Sequence, residues 1–425
     1  MPRPINADVP AEQATRRQRR KPVPAALKAV AGLFLLAIVF VVAAILGGGG
    51  GEESGRIETP APLGAAPDSP TEAPGSETAE QLGYPAFATA NTTRVGGGDS
   101  ASNAAAVALA AFPSAKPSQR PAAVVLVDDA EWQGAIAAAA LIAAPLGAPV
   151  LIATDDELPA PTEGALAALD PQGSKETKGV QAFLVGAAPA AASLRTRRVD
   201  GSGGADVAAS IAALREELLG EPPRHFVIAP ASQPAFAMPA AAWAARSGDP
   251  VLFAEQDELP APTAAALRHR PRAPVYVLGP ASAISSDVVR EIGRISRDVS
   301  RVSGEDPVES AVAFARYADG DFGWNVDDPG HGFVVARSDE PLGAAAAAPL
   351  SASGTWGPLL LTDSADTLPP ALRGYLLDVK PGYTTDPTRA FYNHVWVIGD
   401  EEAIDVNQQA EIDALAALAK IGDGP

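Results

Sequence analysis

One segment of this chain is written twice, and that repetition constrains the fold more than any other feature. Pro149 to Thr162 reads Pro-Val-Leu-Ile-Ala-Thr-Asp-Asp-Glu-Leu-Pro-Ala-Pro-Thr, and Pro250 to Thr263, 101 residues on, reads Pro-Val-Leu-Phe-Ala-Glu-Gln-Asp-Glu-Leu-Pro-Ala-Pro-Thr. A weaker third copy starts at Pro358, with Leu359-Leu360-Leu361-Thr362-Asp363 as its apolar run and Leu368-Pro369-Pro370 as its punctuation. Two further landmarks keep the same order. Arg-Val-x-Gly stands at Arg94, Arg198 and Arg301, and an apolar run closing on glycine ends at Gly186, Gly279 and Gly399. The folded part of the chain is therefore expected to be three copies of one unit, each near the size of a small domain.

The first 93 residues lie outside the repeats. Residues 1–28 hold seven Lys/Arg against two Asp/Glu, with Arg16, Arg17, Arg19, Arg20 and Lys21 just before an apolar run, and read as a basic cytoplasmic tail. Residues 29–46 carry no charge. At 1.5 Å of rise per residue a helix of that length spans roughly 27 Å, close to the hydrocarbon thickness of a bilayer. The basic flank before it, with Glu52 and Glu53 after it, sets the amino terminus inside. A cleaved signal peptide is the rival reading, opposed by the length of the run and by the glycines at 47–51 in place of a small-x-small cleavage site. Residues 47–93, dense in Pro, Gly, Ser, Thr and Glu, are expected to be a disordered tether.

Within the repeats, helix and strand patterns alternate. Ala101 to Ala111, Trp132 to Ala144 and Pro161 to Leu169 read as helices of the first repeat, and Ala123 to Val127, Val150 to Ala153 and Val180 to Val185 as its strands. The strands of the second repeat fall at Phe226 to Ile228, Val251 to Phe253 and Val275 to Leu278, and those of the third at Phe333 to Val335, Leu359 to Leu361 and Val395 to Ile398. These runs are continuously apolar, as strands are when helices cover both faces of a sheet, and the crossovers between them should be right-handed. The fold class is α/β: three tandem small three-layer domains with mainly parallel sheets (94–197, 198–300 and 301–425), preceded by one transmembrane helix and a disordered tether.

The landmarks resemble the cell wall binding repeat type 2 family of Gram-positive surface proteins, over Arg94 to about Lys420. That family's pattern opens Arg-Ile-Ser-Gly-x-Asp, matched best by Arg301-Val302-Ser303-Gly304-Glu305-Asp306. The Pro-Val-Leu-Ile and Tyr-Val-Leu-Gly runs answer to its later strands. Departures are visible. The family's Arg-Tyr pair is Ser100-Ala101 in the first repeat and Pro307-Val308 in the third, and its Asp-Ala-Leu is Gln133-Gly134-Ala135 and Leu342-Gly343-Ala344. The resemblance implies a triplet of α/β units that holds a protein non-covalently on an anionic wall polymer.

Charge bears on what such a module can bind. Of the net −19, most lies at the carboxyl end: residues 301–425 hold seven Lys/Arg against twenty Asp/Glu, whereas residues 198–300 hold ten against twelve. A nucleic-acid partner would require a basic field, which is absent outside the first 28 residues. Cysteine is absent, and His225, His269, His331 and His394 are scattered, so no zinc site is expected. The acidic insertion at Asp319-Gly320-Asp321 and Asp327-Asp328 lacks EF-hand spacing. No Gly-x-Ser-x-Gly elbow, P-loop or Gly-x-Gly-x-x-Gly occurs, and no segment is left over for a catalytic domain. The chain is expected to be no enzyme and to need no cofactor.

In open α/β sheets ligands lie beyond the carboxyl ends of the strands. Three loops there are candidates for ligand binding: Asp128, Asp129 and Trp132 in the first repeat, Ser232 and Gln233 in the second, and Arg337 and Ser338 in the third. Trp132 suits stacking on a sugar and Arg337 an oxyanion; the plainer reading makes the loops solvated and Trp132 an anchor for its helix. Arg290, Arg294 and Arg297, spaced for one helical face, form a second candidate, with a solvated charged face as the plainer reading. Recurrence of Arg94, Arg198 and Arg301 points to packing or register. The expected role is that of a single-pass envelope protein, its repeats in the wall space on an anionic wall polymer or peptidoglycan. A scaffold for an envelope partner protein is the alternative, and a wall-active hydrolase ranks third.

Overall fold

Leucine and β-branched runs become strands here because both of their faces are covered. The computed structural model of the protein describes residues 88–154 and 156–421. Three sheets of four strands each form, all of them parallel. In the first, β2 (Val124–Asp128) lies between β3 (Val150–Ala153) and β4 (Ala182–Val185), with β5 (Thr196–Val199) beyond β4. The second repeats the order with β7 (Val251–Ala254), β6 (Phe226–Pro230), β8 (Val275–Leu278) and β9 (Val299–Val302). In the third, β11 (Leu359–Thr362), β10 (Gly332–Arg337) and β13 (His394–Ile398) keep the order, and the fourth strand is β1 (Thr92–Val95) from the start of the described chain. A two-stranded parallel pair, β12 (Gly382–Tyr383) and β14 (Ala419–Lys420), stands apart.

The sequence patterns anticipate three strands per sheet, and the fourth is the one they miss. It is the Arg-Val landmark itself. Polar residues flank its valine, so β5 and β9 lack the apolar run that marks an inner strand. Units drawn from Arg94, Arg198 and Arg301 consequently divide each sheet before its last strand: the landmark completes the sheet of the preceding repeat, and its first copy completes the sheet of the last.

After each landmark strand the chain enters a helix laid on the next sheet: α1 (Ser100–Ala111) against β3, α4 (Gly204–Leu219) against β7, and α8 (Pro307–Arg316) against β11. The aspartate of the Arg-Val-x-Gly-x-Asp pattern caps these helices. Asp99 accepts from the Ser102 N–H and Asp306 from the Glu309 N–H, each satisfying a free donor of a first turn. At the matching place in the second repeat stands Gly203.

The helices after the first strand of each repeat, α2 (Trp132–Ala138, continued by a 3-10 turn Ala139–Leu141), α5 (Pro234–Ser247) and α9 (Pro341–Ala352), pack on one another in all three pairs. From Gly134 to Leu141, Phe236 to Ala245 and Gly343 to Ser351 every residue is buried. A helix buried all round must be apolar all round, and alanine allows three of them to share one space. One apolar cluster runs through the described repeats. The remaining helices, α3 (Ala160–Leu169), α6 (Ala261–His269), α7 (Ser286–Ile295), α10 (Pro370–Asp378) and α11 (Val406–Ala416), lie outside this centre.

Two expectations about the amino-terminal region meet the structure differently. The membrane span at 29–46, the basic tail and the tether as far as residue 87 lie outside the described residues, among which no helix is long and apolar enough to cross a membrane. The tether's last residues, by contrast, are held: Asn91 N–H donates to Asp413 of α11 at 2.8 Å, Thr89 bonds the same carboxylate, and β1 begins at Thr92. Pairing with β13 orders this stretch, a long-range contact that composition does not report.

Candidate functional site

The recurrent arginines are structural. Each reaches from the fourth strand of a sheet to the loop leaving its third strand, where the chain turns at a glycine with positive φ. Arg301 donates to the carbonyls of Gly279 (2.6 Å) and Ile284 (2.7 Å), Arg198 to those of Gly186 and Ala188, and Arg94 to those of Gly399 (3.1 Å), Asp400 and Ile404. Burial lowers the pKa of Arg94, partly offset by Glu401, Asp400 and Asp405, and that of Arg301. Bonds from each guanidinium to backbone carbonyls of the neighbouring loop give the recurrence a role in holding that loop.

The strand-end loops are largely committed to holding the fold. Asp128 is buried and accepts from the N–H groups of Ala130 (2.9 Å) and Ala187 (3.2 Å), joining the loop after β2 to the one after β4. Exposed Asp129 pairs its N–H with the Ala153 carbonyl at 2.8 Å. Trp132 packs edge-on against Phe253 of the second repeat at 5.6 Å, and neighbouring Gln133 donates to the Ala231 carbonyl at 2.8 Å. Ser232 is exposed, and Gln233 donates to the Ser282 carbonyl at 3.2 Å. Arg337 is held by Asp339 at 2.8 Å and by the Ala403 carbonyl at 3.4 Å, while the Ser338 N–H bonds the Thr362 carbonyl. Glu131 and Glu340 stand at the starts of α2 and α9, and burial, with Asp128 and Asp339 beside them, pushes both carboxyls up. The loops of the first and third repeats carry carboxylates where an anionic polymer requires cations, and that of the second is uncharged.

The arginine stripe of the second repeat is shorter than its spacing suggests. Helix α7 ends at Ile295 and Ser296 is extended, so Arg297 lies in the turn toward β9 instead of one helical turn beyond Arg294. Arg290 pairs with Asp287 at 2.6 Å. All three arginines are exposed.

The cations that sequence reading passes over line a cleft at the opposite, amino-terminal ends of β6 and β7. It measures about 470 Å³ and takes residues from all three repeats: Ala144 and Pro145 from the first, Arg215, Arg224, His225, Trp243, Arg246 and Asp249 from the second, and Asp321 from the third. His225 is buried, with Nδ1 3.1 Å from Asp249 and Nε2 3.1 Å from Asp321. Burial opposes charge on its imidazole, but the hydrogen bond and charge of Asp249, joined by Asp321, outweigh it and raise the pKa. The Trp243 indole N–H donates to Asp249 at 2.9 Å.

One wall of this cleft is the acidic insertion after α8. Its Phe322 is buried and stacks face to face on Tyr276 at 3.5 Å, with Trp243 edge-on at 5.0 Å. Asp319 accepts from the Tyr276 hydroxyl at 3.1 Å; burial, with this carboxylate adding to it, pushes that phenol's pKa up. Asp327 pairs with Arg316 at 2.7 Å and Asp328 with His331 at 3.3 Å. The carboxylates considered for calcium are thus paired with protein groups. Asp319 and Asp321 tie the third repeat to the second, through Tyr276 and His225.

Residues 198–289 match the family model Cell wall binding domain 2 (CWB2). The matched segment begins at Arg198 in β5 and ends within α7, so the CWB2 segment, like the repeats here, starts on the sheet of its predecessor. It confirms the resemblance read from the motifs, on the repeat whose landmark has lost the capping aspartate. Among solved structures, Cwp8 from Clostridium difficile is similar over 77% of this chain and 52% of its own, with a TM-score of 0.59 and 19% identity. Cwp6 from Clostridium difficile is similar over 77% and 48%, with a TM-score of 0.62 and 18% identity. At such identity the likeness is one of fold, and this chain spans about half the length of those proteins. No curated protein matches.

No motif announces the cleft, because its residues come from positions 144 to 321. The usable signal is Arg246, a cation near the end of an alanine-rich helix that is otherwise almost wholly buried.

Proposed function

We propose that the three repeats form a wall-binding module, which holds the protein non-covalently on a polymer of the cell wall and has no catalytic task. The observation that carries this reading is the Cell wall binding domain 2 match over 198–289, lying within three copies of one topology. In support, His225 and Arg224 of the cleft meet Asp321 of the third repeat, so these charged groups join repeats. The uncharged run at 29–46, read as an anchor, would keep the module on the outer face of a single membrane. Overall acidity works against long-range attraction to an anionic polymer, so binding depends on local cations, bridging metal ions or contacts with neutral sugars.

Co-sedimentation of the purified full chain with isolated walls, before and after acid extraction of their anionic polymers, tests the reading. Binding to intact walls and its loss on extraction is the expected result. Binding to neither preparation, with retention by an envelope protein after wall digestion, would transfer the role to the scaffold alternative.

A further inference from the structure

Two guanidinium groups in the cleft lack a carboxylate partner. Arg215 reaches from α4 across the end of α5 and donates from Nε to the Gly248 carbonyl at 2.9 Å, while its buried Nη1 has no partner. The arginine occupies the space where any side chain at position 248 would go, and Gly248 has φ +78°, so only glycine suits both demands. Arg246 lies over the Trp356 ring at 3.6 Å, which holds the guanidinium plane without using its hydrogen-bond donors. Among the described residues neither arginine makes an ion pair.

The carboxylates around them are mostly taken. Glu216 is paired with Arg270, Asp249 serves His225 and Trp243, and Asp321 serves His225 and lies 3.6 Å from Arg224. Glu221 is the acidic lining group left over, against two arginines. Burial lowers the pKa of both, offset for Arg215 by Asp249 and Glu221 and for Arg246 by no neighbouring charge. Partly desolvated guanidinium groups outside any ion pair favour an oxyanion, since charge-assisted bonds of this kind are about twice as strong as neutral ones.

We propose that Arg215 and Arg246 form an oxyanion site in the three-repeat cleft, one that takes a phosphate or carboxylate group carried on a saccharide. Its assignment to a wall polymer rests on the function proposed above; the site itself rests on the geometry. It exists only when all three repeats are assembled, because Trp356 and Asp321 come from the third, Arg215 and Arg246 from the second, and Ala144 and Pro145 from the first.

Calorimetric titration of the full chain with glycerol 3-phosphate, glucuronate and, as a neutral control, glucose reads the site directly. Binding of at least one anion and not of glucose is expected, and which anion binds more tightly tells a phosphate polymer from a uronate one. Arg215→Gln and Arg246→Gln should each weaken that binding tenfold or more at an unchanged melting temperature, with Arg246→Lys recovering part of it. Should the variants fail to fold, arginine Nε resonances of the native protein supply the location, and shifts confined to other arginines would overturn the proposal. Wall binding that persists in both variants alongside undiminished anion binding would overturn the site while leaving the wall-binding function standing. A native protein that ignores walls yet loses anion binding in the variants would sink that function and keep the site.

Discussion

At the scale of single residues, His225 shows how a titratable group can serve assembly. It sits between Asp249 of its own repeat and Asp321 of the next, and the two carboxylates raise its pKa against the effect of burial. A histidine raised in the folded state stabilises fully below its unfolded pKa of about 6.5, and that contribution disappears as pH climbs through the folded value. Urea midpoints should therefore fall as pH rises from 6 to 9, and His225→Gln should remove that fall. His394, whose pKa burial lowers despite nearby Asp413, acts with the opposite sign and costs stability as pH drops below about 6.5. A His225→Gln protein that still loses stability on the alkaline side would show that another group carries the effect.

At the scale of elements, the three inner helices depend on the smallness of alanine. Ala241 of α5 and Ala346 of α9 are buried in two helices that pack on each other. Extra methylenes in such a place cost roughly 1–3 kcal/mol, so Ala241→Leu should lower unfolding free energy by about that much, read from denaturant midpoints at constant slope. Much of this architecture was legible in the chain: the nine apolar strands, the alanine-rich helices and their order follow from apolar runs and turn residues that recur with the repeat. The fourth strands were not, because Arg94-Val95 and its copies have no apolar run and are ordered by pairing with a partner far along the chain. The site was less legible still. Loop residues such as Asp128 and Trp132 carry chemistry that the fold uses for its own joints, and the cations Arg215 and Arg246 line one cleft only because Arg215 of α4 reaches the Gly248 carbonyl at the end of α5. Arg297 illustrates a third limit, since a helical spacing of three holds only while the helix continues.

At the scale of the whole module, the first strand completing the last sheet means that the three repeats are linked in a cycle, each sheet finished by the landmark strand that also opens a repeat. Repeat arrays in which units touch only sequential neighbours can open one unit at a time; a shared core of three helices and a strand exchanged between the ends should make these repeats unfold together. An oxyanion cleft built from all three repeats requires such closure. Native-state hydrogen exchange measures it most directly. The Val395 and Gly399 N–H groups of the third sheet donate to Asn91 and Val95 at the other end of the chain (2.9 and 3.1 Å), whereas Val125 and Val227 sit in the central strands of the first and second sheets. If the module is closed, all four amides exchange with one opening free energy, that of global unfolding. Rapid exchange at Val395 and Gly399, with Val125 and Val227 still protected, would contradict it.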